Sequence, residues 1–123
     1  MDLEFPTKYN KALDMNFKNE GSGYSRAVLM ENFIFVSGTT ALNLSGKRMG
    51  IGDPYLQTRQ MIIIIKLASL NVSAGLKDLV RTRIFVKTVN HWEKIGNAHG
   101  EDFGEIRLAT SRVEVNCLIG AEI

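Results

Sequence analysis

Apolar and polar positions alternate in short runs through the first third of the chain and recur at helical spacing further on. The runs YSRAVLM (24–30) and FIFVSGTTAL (33–42) are β-prone and are separated by Glu31 and Asn32, a pair suited to a tight turn, so they predict a hairpin. Residues 1–23 carry isolated aromatics without a period and read as a loop or a weak edge strand. NLSGKRMGIGDPY (43–55) has turn residues and no core period, hence a loop. Asp53 can cap exposed backbone N–H groups and Pro54 needs none at the first helical position, which predicts a helix to about Ala74, stopped by Gly75. Ile62 to Ile65 could equally form a buried strand by pattern alone; length and the two end signals favour helix.

In DLVRTRIFVKT (78–88), Val80, Thr82, Ile84 and Val86 alternate with Arg81, Arg83, Phe85 and Lys87, a strand with one wetter face. Asn90 and Glu93 form a capping-box-like start to a second helix running to Phe103, with Gly104 as its stop. Trp92, Ile95, His99 and Phe103 share one stripe of that helix and are expected to pack on the sheet. In the closing strand ATSRVEV (109–115), Thr110, Arg112 and Glu114 share one face and Ser111, Val113 and Val115 the other, the second being the expected core face. Hairpin, helix, strand, helix, strand is the order of an α+β domain with both helices on one face of the sheet.

Composition narrows the class. A chain of 123 residues, 45% hydrophobic and 23% charged, fits one domain over residues 1–123. No internal repeat, low-complexity tract or linker divides it. The lone Cys117 allows no internal disulfide, and no signal-peptide pattern opens the chain, so a reducing cytoplasmic setting is expected. MIIII (61–65) stops at Lys66, far short of the roughly 20 residues that span a bilayer. A net charge of +2 gives only weak attraction to polyanions.

Four candidate chemistries each compete with a plainer reading. Gly46, Gly50 and Gly52 precede a helix, yet no phosphate-loop motif is present, Pro54 removes a donor and Asp53 adds negative charge; a flexible loop is the better account. His91 and His99 lie eight apart, too far for the i, i+4 pairing of a helical zinc site, so neither metal nor cofactor is expected and His99 reads as packed or capping. Cys117 has no legible His-containing partner and reads as a small buried side chain. Arg81, Arg83 and Lys87, with Lys47 and Arg48, invite a nucleic-acid reading, but no base-stacking aromatic motif accompanies them and a solvated or interface-facing strand is favoured.

Three stretches together carry a resemblance: YSRAV (24–28) with FVSGTTAL (35–42), GDPYLQTRQ (52–60) leading into DLVRTRIFV, and WEKIGNAHGEDFGEIRLATSRVEV (92–115). From about residue 21 onward the chain resembles the Rid/YjgF family. The resemblance implies a chorismate-mutase-like fold, a homotrimer with clefts between subunits, and hydrolysis of reactive enamines and imines to 2-keto acids and ammonia. It implies an arginine in an ARS-x-VEV strand to hold the substrate carboxylate, as a planar guanidinium fork does well. A late glutamate and backbone groups would orient the attacking water.

The chain departs from that pattern at the site. Thr110 stands where the carboxylate-binding arginine is expected, and the site asparagine falls at Gly96, with Asn97 beside it but turned by about 100°. LIGAEI (118–123) stops before the closing strand that bears the late glutamate, and Glu122 belongs to the preceding turn. Arg112 lies two residues beyond Thr110 on the same face, about 6 to 7 Å along the strand, within reach of a long side chain. Two readings of Arg112 stand side by side: a relocated anion anchor, or an interfacial ion pair with Glu114. Arg107 is a weaker anchor candidate. The expected ligand is a small carboxylate or carbonyl metabolite, contacted by Tyr24, Gly38, Thr39, Thr110, Arg112 and Glu114. Regulatory ligand binding without turnover is the alternative, and RNA binding or cleavage the least favoured reading.

Overall fold

The computed structural model describes residues 10–12, 23–43 and 45–118. Glu122 and most of the first 22 residues lie outside the described residues, although β1 (Asn10–Ala12) is present as an edge strand. β1 pairs antiparallel with β2 (Ala27–Met30), which forms the expected hairpin with β3 (Phe33–Val36). Glu31 takes a left-handed conformation, φ 53°, to close the turn. Alternation decides the faces. Leu29, Ile34 and Val36 pack on a core of Ala27, Ala68 and Val72, and Phe33 and Phe35 point away, 68% and 64% exposed.

α1 (Pro54–Leu70) starts as expected: Asp53 accepts from the Leu56 N–H at 3.1 Å, and Pro54 opens the first turn. The isoleucine run is helix. Ile62 and Ile64 are buried and Ile63 is 45% exposed; at 100° per residue Ile62 and Ile64 fall on opposite sides of the helix, so α1 is buried on more than one side. The helix ends at Leu70, earlier than Ala74, and Gly75 is not its left-handed stop. Ser73 takes that role at φ 63°, with Ser73 N–H donating to Leu70 O (3.1 Å) and Ala74 N–H to Ser69 O (2.9 Å), the paired bonds of a Schellman closure. Gly75 is extended and begins a 3-10 turn over Leu76–Asp78.

β4 (Arg81–Val86) and β5 (Ala109–Glu114) form a parallel pair, with α2 (Trp92–Phe103) as the crossover between them. The Asn90 capping box is displaced. Thr88 caps a 3-10 turn at Val89–His91, and α2 begins only at Trp92. Trp92 is 57% exposed and leaves the expected packing stripe, whereas Ile95, Ala98, His99 and Phe103 are buried. Gly104 stays right-handed (φ −57°), and Arg107 (φ 59°) makes the turn into β5. Cys117 is exposed, not buried. Among the described residues no helix is long and apolar enough to cross a membrane.

Candidate functional site

The register pairs Thr82 with Thr110, Ile84 with Arg112 and Val86 with Glu114, so these six side chains share one face of the β4–β5 ladder. His99 of α2 bonds to Thr82 across that face, which makes it the helix side. The expectation for β5 is therefore inverted. Its charged face lies beneath α2, and the presumed core face turns outward, with Val113 46% and its pairing neighbour Phe85 52% exposed.

Thr110 ends a short polar chain. Thr82 Oγ1 donates to Thr110 Oγ1 at 2.8 Å and lies 2.9 Å from His99 Nε2. Thr82 has a single hydroxyl proton, so once that is given to Thr110, its remaining bond accepts a proton carried on Nε2. The His99 ring is buried and lies tilted by 44° against Phe103, with ring centroids 4.6 Å apart. Burial, reinforced by the Arg112 cation and partly opposed by Asp102, holds its pKa below the usual imidazole value, so the neutral ring is favoured.

Arg112 and Gly96 form one unit. A Cβ at Gly96 would sit 3.1 Å and 3.3 Å from the two terminal guanidinium nitrogens, so the missing side chain is the space the guanidinium occupies. Arg112 Nη1 donates to the Trp92 carbonyl at 3.2 Å. The position where relatives are expected to carry asparagine is thus filled by an arginine from the neighbouring strand. Sequence reasoning noted both departures without joining them; the signal was that a lost side chain on α2 and a gained one on β5 concern the same site. Asn97 is exposed and, together with Gly96 itself, lines an open groove of about 1010 Å³ with Tyr55, Lys94, Gly100 and Glu101.

Within the chain Glu114 does not pair with Arg112: its Oε1 accepts from the Val89 N–H at 2.9 Å and fixes the 3-10 turn before α2. Arg107 serves the turn after α2, its N–H donating to Phe103 O. Tyr24, Gly38 and Thr39 sit beside the β2–β3 hairpin, on a different ladder from Thr110 and Arg112. Tyr24 is 47% exposed. The Gly38 carbonyl accepts from Arg26, Thr39 Oγ1 donates to Ser37 O, and Ser37 Oγ donates to Ser25 O, which ties the loops on either side of the hairpin together.

The arrangement offers a guanidinium and a hydroxyl linked to a neutral imidazole, a set suited to a small planar anion. The family model for endoribonuclease L-PSP matches residues 18–123. A RutC family protein of Pyrococcus abyssi is 34% identical over 77% of this chain and 75% of its own length. The 3-aminoacrylate deaminase RutC of Acinetobacter baylyi is 30% identical over 75% of this chain and 73% of its own. The crystal structure of a YjgF/YER057c/UK114 family member from Mycobacterium tuberculosis superposes with a TM-score of 0.82 at 34% identity, covering 93% of this chain and 90% of that one.

Proposed function

This chain belongs to the Rid/YjgF (endoribonuclease L-PSP) family and has its chorismate-mutase-like α+β fold, and on that premise we propose that it binds a small 2-keto or 2-imino acid through Arg112 and hydrolyses the imine or enamine form. The observation that carries the reading is the seat of the Arg112 guanidinium over Gly96. A guanidinium has five N–H donors, and the Trp92 contact uses one of them, so a carboxylate can be held beside Thr110. Water then adds to C2 of the bound imine, forming a C–O bond as the C=N π pair moves to nitrogen, which takes up a proton. The carbinolamine passes its hydroxyl proton to nitrogen, the C–N bond breaks, and ammonia and the 2-keto acid leave.

The assembly in this reading is a cytoplasmic homotrimer of single-domain subunits, built through the outward sheet face. Phe33 and Phe35 on the β2–β3 ladder, and Phe85 and Val113 on the β4–β5 ladder, are exposed, apolar area of the kind that marks an interface. Intersubunit clefts would bring Tyr24, Gly38 and Thr39 of one copy to Thr110 and Arg112 of the next. Arg81 and Arg83 alternate with Phe85 on that same face, which argues against their serving RNA.

Freshly generated 2-imino acids, assayed for ammonia and keto-acid release with wild type and Arg112→Ala, test the proposal. The expected result is release above the buffer rate and a loss of about 10- to 100-fold in kcat/KM for the variant, the range of a charge-assisted hydrogen bond. The presence of Thr110 in place of the expected arginine favours a second reading, regulatory binding without turnover. Saturable 2-keto-acid binding that Arg112→Ala abolishes, with no ammonia release, would select it; neither release nor binding would overturn both.

A further inference from the structure

α1 is apolar on two sides. One side packs on β3 and α2 through Thr58, Ile62 and Ala68, and the other presents Leu56, Ile63, Leu67 and Leu70, which are 52%, 45%, 39% and 56% exposed. The spacings of seven, four and three residues are those of a heptad seam, and at 100° per residue the four side chains fall in an arc of about 60°. Gln60 completes the seam, its Nε2 donating to Leu42 O at 2.7 Å. The helix is already formed within the domain, so a partner meets it without the cost of helix nucleation.

We propose that this seam docks on the α1 seam of a second copy of the chain, antiparallel about a twofold axis. The charges beside the seam set the direction and register. Arg59 lies 2.7 Å from Asp102 and 3.4 Å from Glu101, one cation against two carboxylates, and the Tyr55 hydroxyl donates to Glu101. That end of the flank carries a net negative charge, and exposed Lys66 lies two turns further along the same flank. An antiparallel pair that sets Leu56 against the partner's Leu67, and Gln60 against the partner's Ile63, brings each Lys66 to the partner's Arg59 and its carboxylates. Sliding one heptad sets the two Lys66 side chains against each other, so the charges select the first register. The contact is isologous, both copies using the same surface. It lies on the side of α1 turned away from the sheet and is independent of the sheet-face assembly.

Sedimentation equilibrium of the full chain tests this with wild type, an Ile63→Glu, Leu67→Glu double variant, and Lys66→Glu. Wild type is expected at no less than twice the mass of the double variant, and Lys66→Glu, which puts a carboxylate against the acidic cluster, is expected to weaken association at least tenfold. Thermal melts of the two variants check that the exposed positions leave the domain folded. Equal masses for wild type and the double variant, the result if another segment or another protein covers the seam, would overturn the proposal. So would tighter association of Lys66→Glu. The readout is a ratio, valid whether the basic unit is one chain or three, and a failed deaminase assay leaves it untouched.

Discussion

The two helices lie side by side and treat their outer surfaces in opposite ways. α1 carries leucine and isoleucine where solvent is expected, whereas α2 exposes Lys94, Asn97, Gly100 and Glu101 and gives up a side chain altogether at Gly96. α1 is written for burial on both sides, and α2 is written to leave room for a cation from β5. The difference separates two uses of a helix in one fold: one presents an apolar outer surface, the other makes room for a side chain from the neighbouring strand.

The largest test of that contrast lies inside one run of identical residues. Ile62→Ala removes a buried side chain and is expected to cost about 2–5 kcal/mol, whereas Ile63→Ala, one position on, is expected to change the stability of the isolated domain by less than about 0.5 kcal/mol. Urea melts of the two variants, measured at concentrations too low for association, give the comparison. Equal costs would mean that Ile63 is covered within its own chain.

A smaller effect sharpens the other half of the contrast. Gly96→Ala should gain helix propensity, up to about 1 kcal/mol, because the methyl meets only the movable end of Arg112. The same methyl displaces the guanidinium from its seat, so 2-keto-acid affinity is expected to fall while stability rises. In the Gly96→Ala background, Arg112→Ala should then cost less affinity than it does alone, a coupling that a double-mutant cycle measures. Additive losses would show that Gly96 does not position Arg112.

How much of this was legible depended on whether local rules or distant neighbours decide a position. The hairpin, the Asp53 cap and the alternation of β4 follow from short-range pattern, and the fold class followed from their order together with the family resemblance. The end of α2 at Phe103, capped by Gly104, followed as well, but the end of α1 did not, because its left-handed turn falls on an ordinary residue, Ser73, where the glycine at 75 gave a stronger signal. The face of β5 was misread for a related reason. Alternation shows that Thr110, Arg112 and Glu114 go together, but whether that set meets helix or solvent depends on α2, and a glycine there has no side chain by which to announce a cavity. Glu114 illustrates the limit: within the chain its carboxylate meets the Val89 N–H, a contact 25 residues away in sequence that strand alternation does not announce.

The smallest expected effect is a pH dependence that belongs to α2 alone. Burial and the nearby Arg112 lower the pKa of His99 in the folded chain, so below the ordinary imidazole value near 6.5 the unfolded chain binds the proton more readily than the folded one. Stability therefore rises with pH from the lowered folded value up to about 6.5 and is flat with respect to this group above it; acid removes the contribution. Charging the ring would still leave Nε2–H donating to Thr82, so the penalty comes chiefly from desolvating the charged ring, and less from placing it beside the Arg112 cation, and not from losing that bond. Urea unfolding between pH 5 and 7.5 should show this slope in wild type and a shallower one in His99→Gln, which cannot take up a proton. Arg112→Ala should leave part of the slope in place, since burial is the larger cause and the guanidinium the smaller. A slope unchanged by His99→Gln would assign the dependence to another group and would leave the Thr110–Thr82–His99 chain without a titrating member.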